Sequence, residues 1–167
     1  MPIPTWALAF LYWLHLLATV TWIGSLVSIY VLILPISRRV LKPVDEMALM
    51  DGIQKRLEPI AWFSVSLLIA TGLFQMSVNP HYNGFLSTSG QWALALLAKH
   101  TLVATLIAVS AVHTWDVLPS IRRLLMRRDK ADPEAILKLQ RRELALLRAS
   151  LVLAGLVLLA TAIMRAS

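Results

Sequence analysis

Apolar positions along this chain fall into four long runs, and the polar positions gather between them. The runs cover residues 6–34, 60–78, 91–118 and 144–164. Each is about as long as the ~20 residues needed to cross a ~30 Å hydrocarbon core. The pattern predicts an all-α integral membrane four-helix bundle, forming one domain over residues 1–167. Pro35 and Pro119 are expected to end the first and third helices, since proline cannot donate to a continuing helix. Residues 37–58 are polar, with a helical period over 45–57 that predicts a segment lying at the interface. Residues 79–90 read as a short loop holding Pro80, Gly84 and Gly90. Near the start of the last helix, Asp132 is expected as N-cap with Pro133 in the first turn. Gly24 and Ser28, four apart, suggest a smooth patch for close helix contact.

Charge sets a topology on this frame. Thirteen of the 16 Lys and Arg residues lie in the first and third loops, and none lies in the second. If all four helices span, both basic loops share one side. The positive-inside rule then places both termini outside and both basic loops in the cytoplasm. The N-terminal residues lack a basic n-region, so the first helix is expected to stay in the mature protein. A bacterial inner (cytoplasmic) membrane is the expected location, with the lipid bilayer as its surroundings.

Composition agrees, at 58% hydrophobic and 15% charged, against about 45–50% and about 25% in soluble domains. The net charge of +7 belongs to the basic loops. Those loops bring no accompanying fold or aromatic platform, so nucleic acid is not an expected partner. The absence of cysteine excludes disulfides, thiolate-ligated zinc and iron–sulfur clusters. No phosphate loop, H-E-x-x-H, Ser–His–Asp set or paired intramembrane carboxylates occurs. Any enzyme activity would therefore be redox chemistry on a bound cofactor.

The candidate chemistry lies in the stretch Trp13 to Gly24, WLHLLATVTWIG. His15 sits inside an apolar run, where an imidazole is costly unless something engages it. Trp22 lies seven residues on, close to two turns away, so it shares the face of His15. His15 is nine residues past Trp6, and His100 is nine residues past Gln91. Both therefore lie about 13 Å into helices running the same way. Two imidazoles at one depth suit the two axial positions of haem b. Ala104, Ala108 and Ala111 would leave room for the macrocycle, with Phe10, Trp13 and Trp22 as walls.

Lys99 points about 100° from His100, so only one of the two can face His15. Lys99 is thus an alternative haem ligand or a propionate partner. With Ser110 and His113 it marks a possible polar path. His113, about 20 Å deeper, is either a ligand for a second haem iron or a partner of Asp116 one turn on. His81 is a lone loop histidine, read as solvated. Met47 and Met50 are read as interfacial packing on the cytoplasmic side, since one M-x-x-M offers copper(I) too few ligands.

At these residues the chain resembles two related groups. His15 to Gly24, H-x6-W-x-G, is similar to the first helix of the CopD-type copper-resistance membrane domain and of HemJ-type protoporphyrinogen oxidases. Gln54 to Leu57, followed by the run ending Gly72-Leu73, resembles the second helix of both. Lys99 with Pro119 twenty residues later, and Glu143 before the last apolar run, resemble CopD. The HemJ likeness implies haem binding by His15 and Lys99. The CopD likeness implies copper transport or resistance.

The expected function is therefore a b-type haem protein that passes electrons, alone or as a cytochrome-like subunit. Other membrane redox subunits or a second copy are then the expected partners. A CopD-like copper protein using His15 with His81 or Met76 is the alternative, and a non-catalytic accessory subunit is the third reading.

Overall fold

The computed structural model describes residues 4–78, 90–126 and 132–166. Among them the chain is helical throughout, in four long rods. We name these α1 (Thr5–Val40), α2 (Pro43–Ser77), α3 (Gln91–Met126) and α4 (Pro133–Ala166). All four are long and apolar enough to cross a membrane. The 36 residues of α1 span about 54 Å at ~1.5 Å per residue. That exceeds the ~30 Å of hydrocarbon, so each rod projects well past it.

The projections correct three expected boundaries. Pro35 and Pro119 do not end their helices. In α1 the turns over Ser28–Ile33 are π-helical, and in α3 so are those over His113–Val117. Each π segment stops two residues before its proline. A π turn widens the helix by one residue. It makes space where the proline ring would strike a carbonyl and where its missing N–H would leave one unpaired. The third correction is residues 45–57, which form no separate interfacial helix. They are the first half of α2, continuous through Pro59.

The remaining helix ends follow local rules. Asp132 caps α4 through its Oδ1, which accepts from the Glu134 N–H at 3.1 Å, with Pro133 opening the helix. Gly90 precedes α3 at φ +95°, a left-handed conformation that favours glycine.

Helix α1 packs chiefly on α2, and α3 chiefly on α4. Lesser contacts join α1 to α4 and the end of α3 to α2, closing the bundle. Three apolar clusters fill it. Trp22, Val65, Leu106 and Ala154 take the middle. Ile29, Leu34, Met50 and Leu147 follow, then Met47, Val117, Leu118, Ile121 and Ile136. Met47 and Met50 are thus core packing. Leu16, Val20, Phe63, Leu94, Val152 and Leu159 point outward instead. An apolar girdle of that extent suits lipid rather than water.

Candidate functional site

His15 is held by the facing helix. Its Nδ1 lies 2.7 Å from Oγ1 of Thr71 on α2. Thr71 has one hydroxyl proton, which it gives to the Leu67 carbonyl at 2.6 Å. The threonine oxygen can therefore only accept from the ring. That assigns the proton to Nδ1 and the lone pair to Nε2 of His15. A neutral imidazole oriented by a hydrogen bond at one nitrogen is prepared to ligate through the other.

Gly72 completes this contact. A Cβ placed there would lie 3.4 Å from Cε1 of His15, so the ring rests against bare backbone. The close approach expected at Gly24 and Ser28 is found here instead. Nothing lies within 4 Å of a Cβ built at Gly24. One turn further out, Gln75 donates to the Leu11 carbonyl at 3.4 Å. The Thr71, Gly72 and Gln75 contacts were not legible beforehand, because the register of α1 on α2 is a tertiary fact.

The second expected ligand pair is partly brought together. Lys99 of α3 lies within electrostatic reach of His15. His100 directs Nδ1 to the Leu96 carbonyl of its own helix at 2.8 Å. A carbonyl only accepts, so His100 too carries its lone pair on Nε2. The expected haem walls are arranged differently. Phe10 and Trp13 stack on each other, with centroids 5.8 Å apart, and are 53% and 55% exposed. Ala104 and Ala108 also face outward. Of the three aromatics only Trp22 is buried in the bundle.

Trp22 instead lines a cavity deeper along the helices, of ≈ 90 Å³. His113 borders it, as do Gln54, Ser110 and Ser150. The expected bond from His113 to Asp116 is not formed. The π turn rotates the two apart, and Asp116 pairs with Arg142 at 2.5 Å. Nε2 of His113 is buried with no hydrogen-bond partner, and so is Oε1 of Gln54. The Gln54 amide nitrogen is already spent on Glu143 Oε1, at 2.9 Å.

Beyond the cavity lies a polar layer that charge counting alone did not reveal. Glu46 accepts from Arg38 at 3.0 Å and from Gln140 at 2.7 Å. Asp51 binds Arg122 and Lys55, each at 2.7 Å. Arg122 also reaches Glu58 at 3.6 Å. Glu46, Asp51, Gln54, Gln140 and Glu143 are all buried. The helical spacing of Glu46, Met47, Met50, Asp51 and Gln54 was the available signal, since those positions share one face. Part of the basic excess thus serves to neutralise carboxylates inside the bundle.

Among the described residues no three His, Asp or Glu side chains gather as a preformed metal cage. His81 lies outside the described residues. In comparisons with known proteins, the model of the family "Copper resistance protein D" matches residues 52–164. No curated protein and no solved structure matches. The likeness to HemJ-type oxidases finds no support in these comparisons. The matched stretch runs from α2 through α4 and takes in Thr71, Lys99, His113 and Glu143, whereas His15 precedes it. It covers about two thirds of a chain whose four rods are built to span a bilayer: this integral membrane protein belongs to the copper resistance protein D family.

Proposed function

We propose that the protein handles copper within the membrane, moving it or holding it as part of copper resistance. Family membership over residues 52–164 carries this reading. It favours copper over the haem and electron-transfer reading of the sequence. Copper is here the cargo rather than a resident cofactor.

The residue we assign to it first is His15. Thr71 holds the ring with its lone pair on Nε2, as a metal ligand requires. Met76 lies four residues past Gly72, on the side of α2 that meets His15. A thioether beside an imidazole suits soft copper(I). Lys99 supports the same valence. Its repulsion of a nearby cation scales with charge, so it opposes copper(II) twice as strongly as copper(I). We place both termini outside and the basic ends of the helices in the cytoplasm of a bacterial inner membrane, from the loop charges.

The test is copper(I) binding by the detergent-purified chain against a chromogenic chelator under anaerobic conditions. Vesicle uptake of copper with and without the protein accompanies it. Binding near one copper per chain, lost in His15→Ala and weakened in Met76→Leu, is the expected result. A reduced α-band and a positive pyridine haemochrome assay, with no copper bound, would overturn it in favour of haem b.

A further inference from the structure

The cavity around His113 is not explained by copper handling. It holds one imidazole and no cage of further ligands. Its chemistry is specific nonetheless. Two buried atoms without partners, Oε1 of Gln54 and Nε2 of His113, border the same space. Gln54 is 4% exposed. Buried polar groups in folded proteins are nearly always satisfied, so two orphans in one cavity point to a ligand.

The pairing pattern restricts that ligand. With its amide nitrogen bound to Glu143, Gln54 has its carbonyl oxygen left without a partner among the described residues, and that oxygen needs a donor. His113 can accept or donate according to its tautomer. A ligand that only accepts would leave the Gln54 oxygen unpaired. The wall is overwhelmingly apolar and includes Trp22, Leu26, Leu57, Trp62 and Val65. The volume of ≈ 90 Å³ is below the ~150 Å³ of a closed cavity that takes a benzene ring, so a ring bound here reaches into the opening. The cavity is open on one side. Its wall residues Ser25, Leu26, Trp62 and Thr114 are partly exposed. Trp62 stacks on Trp115, whose ring centroid is 5.4 Å away and which is 71% exposed. That side of the wall therefore adjoins the exposed surface of the bundle.

We infer that this cavity binds the ring of a membrane-soluble hydroquinone, a quinol in preference to its quinone, entering sideways from the bilayer. A quinol hydroxyl donates to Gln54 Oε1 and completes the hydrogen bonding of His113. The ring lies against Trp22 and Trp62, and the tail leaves through the flank into lipid. A quinone has no proton to give the Gln54 oxygen and would leave it unpaired. The inference concerns binding alone and does not depend on copper.

The test is equilibrium binding of decyl-hydroquinone, kept reduced without oxygen, and of the corresponding decyl-quinone to the full chain in detergent. Bound ligand per chain is measured after separation. The expected result is saturation at one quinol per chain, with quinone about tenfold weaker for the lost hydrogen bond. His113→Leu weakens quinol binding about fivefold or more, and Ala61→Leu, which fills the wall, does so as well. No saturable quinol binding by the folded wild type would overturn the inference, leaving a hydrated cavity only. Equal affinity for quinol and quinone would overturn it too. That comparison needs no variant, so it decides the matter even where a substitution unfolds the chain.

Discussion

Replacing Thr71 with valine removes one oxygen and keeps the shape of the side chain. Thr71 is 3% exposed, and its oxygen lies 2.7 Å from His15 Nδ1. The variant leaves a ring N–H against α2 with nothing to accept it. An unsatisfied buried donor costs about 1–3 kcal/mol, and we expect Thr71→Val to lose stability in that range. Copper(I) affinity should fall further, by roughly 10–100-fold, the usual effect of losing the partner that orients a metal-ligating histidine. Thr71→Ser separates the two causes. It keeps the acceptor and deletes one methyl group, costing about 0.8 kcal/mol, with copper affinity near wild type. The assays are thermal unfolding in detergent and anaerobic chelator competition for copper(I). A Thr71→Val protein that unfolds and binds copper as the wild type does would refute the reasoning. So would a Thr71→Ser protein that fails as badly as the valine variant.

Further outcomes follow from the packing and the charges. Met50→Ala, at a side chain 0% exposed among Ile29, Leu34 and Leu147, should cost about 2–5 kcal/mol. Leu16→Ala, at a position 63% exposed, should cost under about 0.5 kcal/mol by the same unfolding measurement. Asp51→Asn and Arg122→Gln should not add. Their ion pair is 2.7 Å long, so a double-mutant cycle should return a coupling of about 0.5 kcal/mol or more, and strict additivity would show the contact to be idle. Glu143→Ala leaves the Gln54 amide nitrogen without its acceptor, costing about 1–3 kcal/mol, whereas Glu143→Gln should recover most of that stability. The chain has no cysteine, so Thr5→Cys and Lys42→Cys can be introduced singly. A membrane-impermeant thiol reagent should label the first from outside and the second only from the cytoplasmic face, and labelling of Lys42→Cys in intact cells would reverse the topology.

The polar layer gives a specific case of what charge counting misses. Arg38, Lys55, Arg122 and Arg142 all read as topogenic charges, yet the first three engage buried carboxylates and Arg142 pairs with the half-exposed Asp116. Linear sequence shows how many charges a loop holds. It does not show which of them reach Glu46, Asp51 or Asp116 on another helix.

By itself the sequence determined the class of this protein. Four apolar runs of bilayer length leave the backbone one way to satisfy its polar groups, as helices. The Asp132–Pro133 cap was equally local, and the structure shows it. The expected helix ends at Pro35 and Pro119 were not secure, because a helix can carry a proline inside it, after a π turn as at these two or without one as at Pro59. Which residues face His15 was beyond the sequence altogether. Thr71 and Gly72 lie 56 and 57 residues away, and only the register of α1 on α2 brings them there. His113 shows the same limit from the other side. Its spacing to Asp116 promised a bond, and a widened turn together with Arg142 on α4 removed it. Periodicity is a property of one helix, whereas a site is made where several helices meet, at rotations and offsets decided by packing.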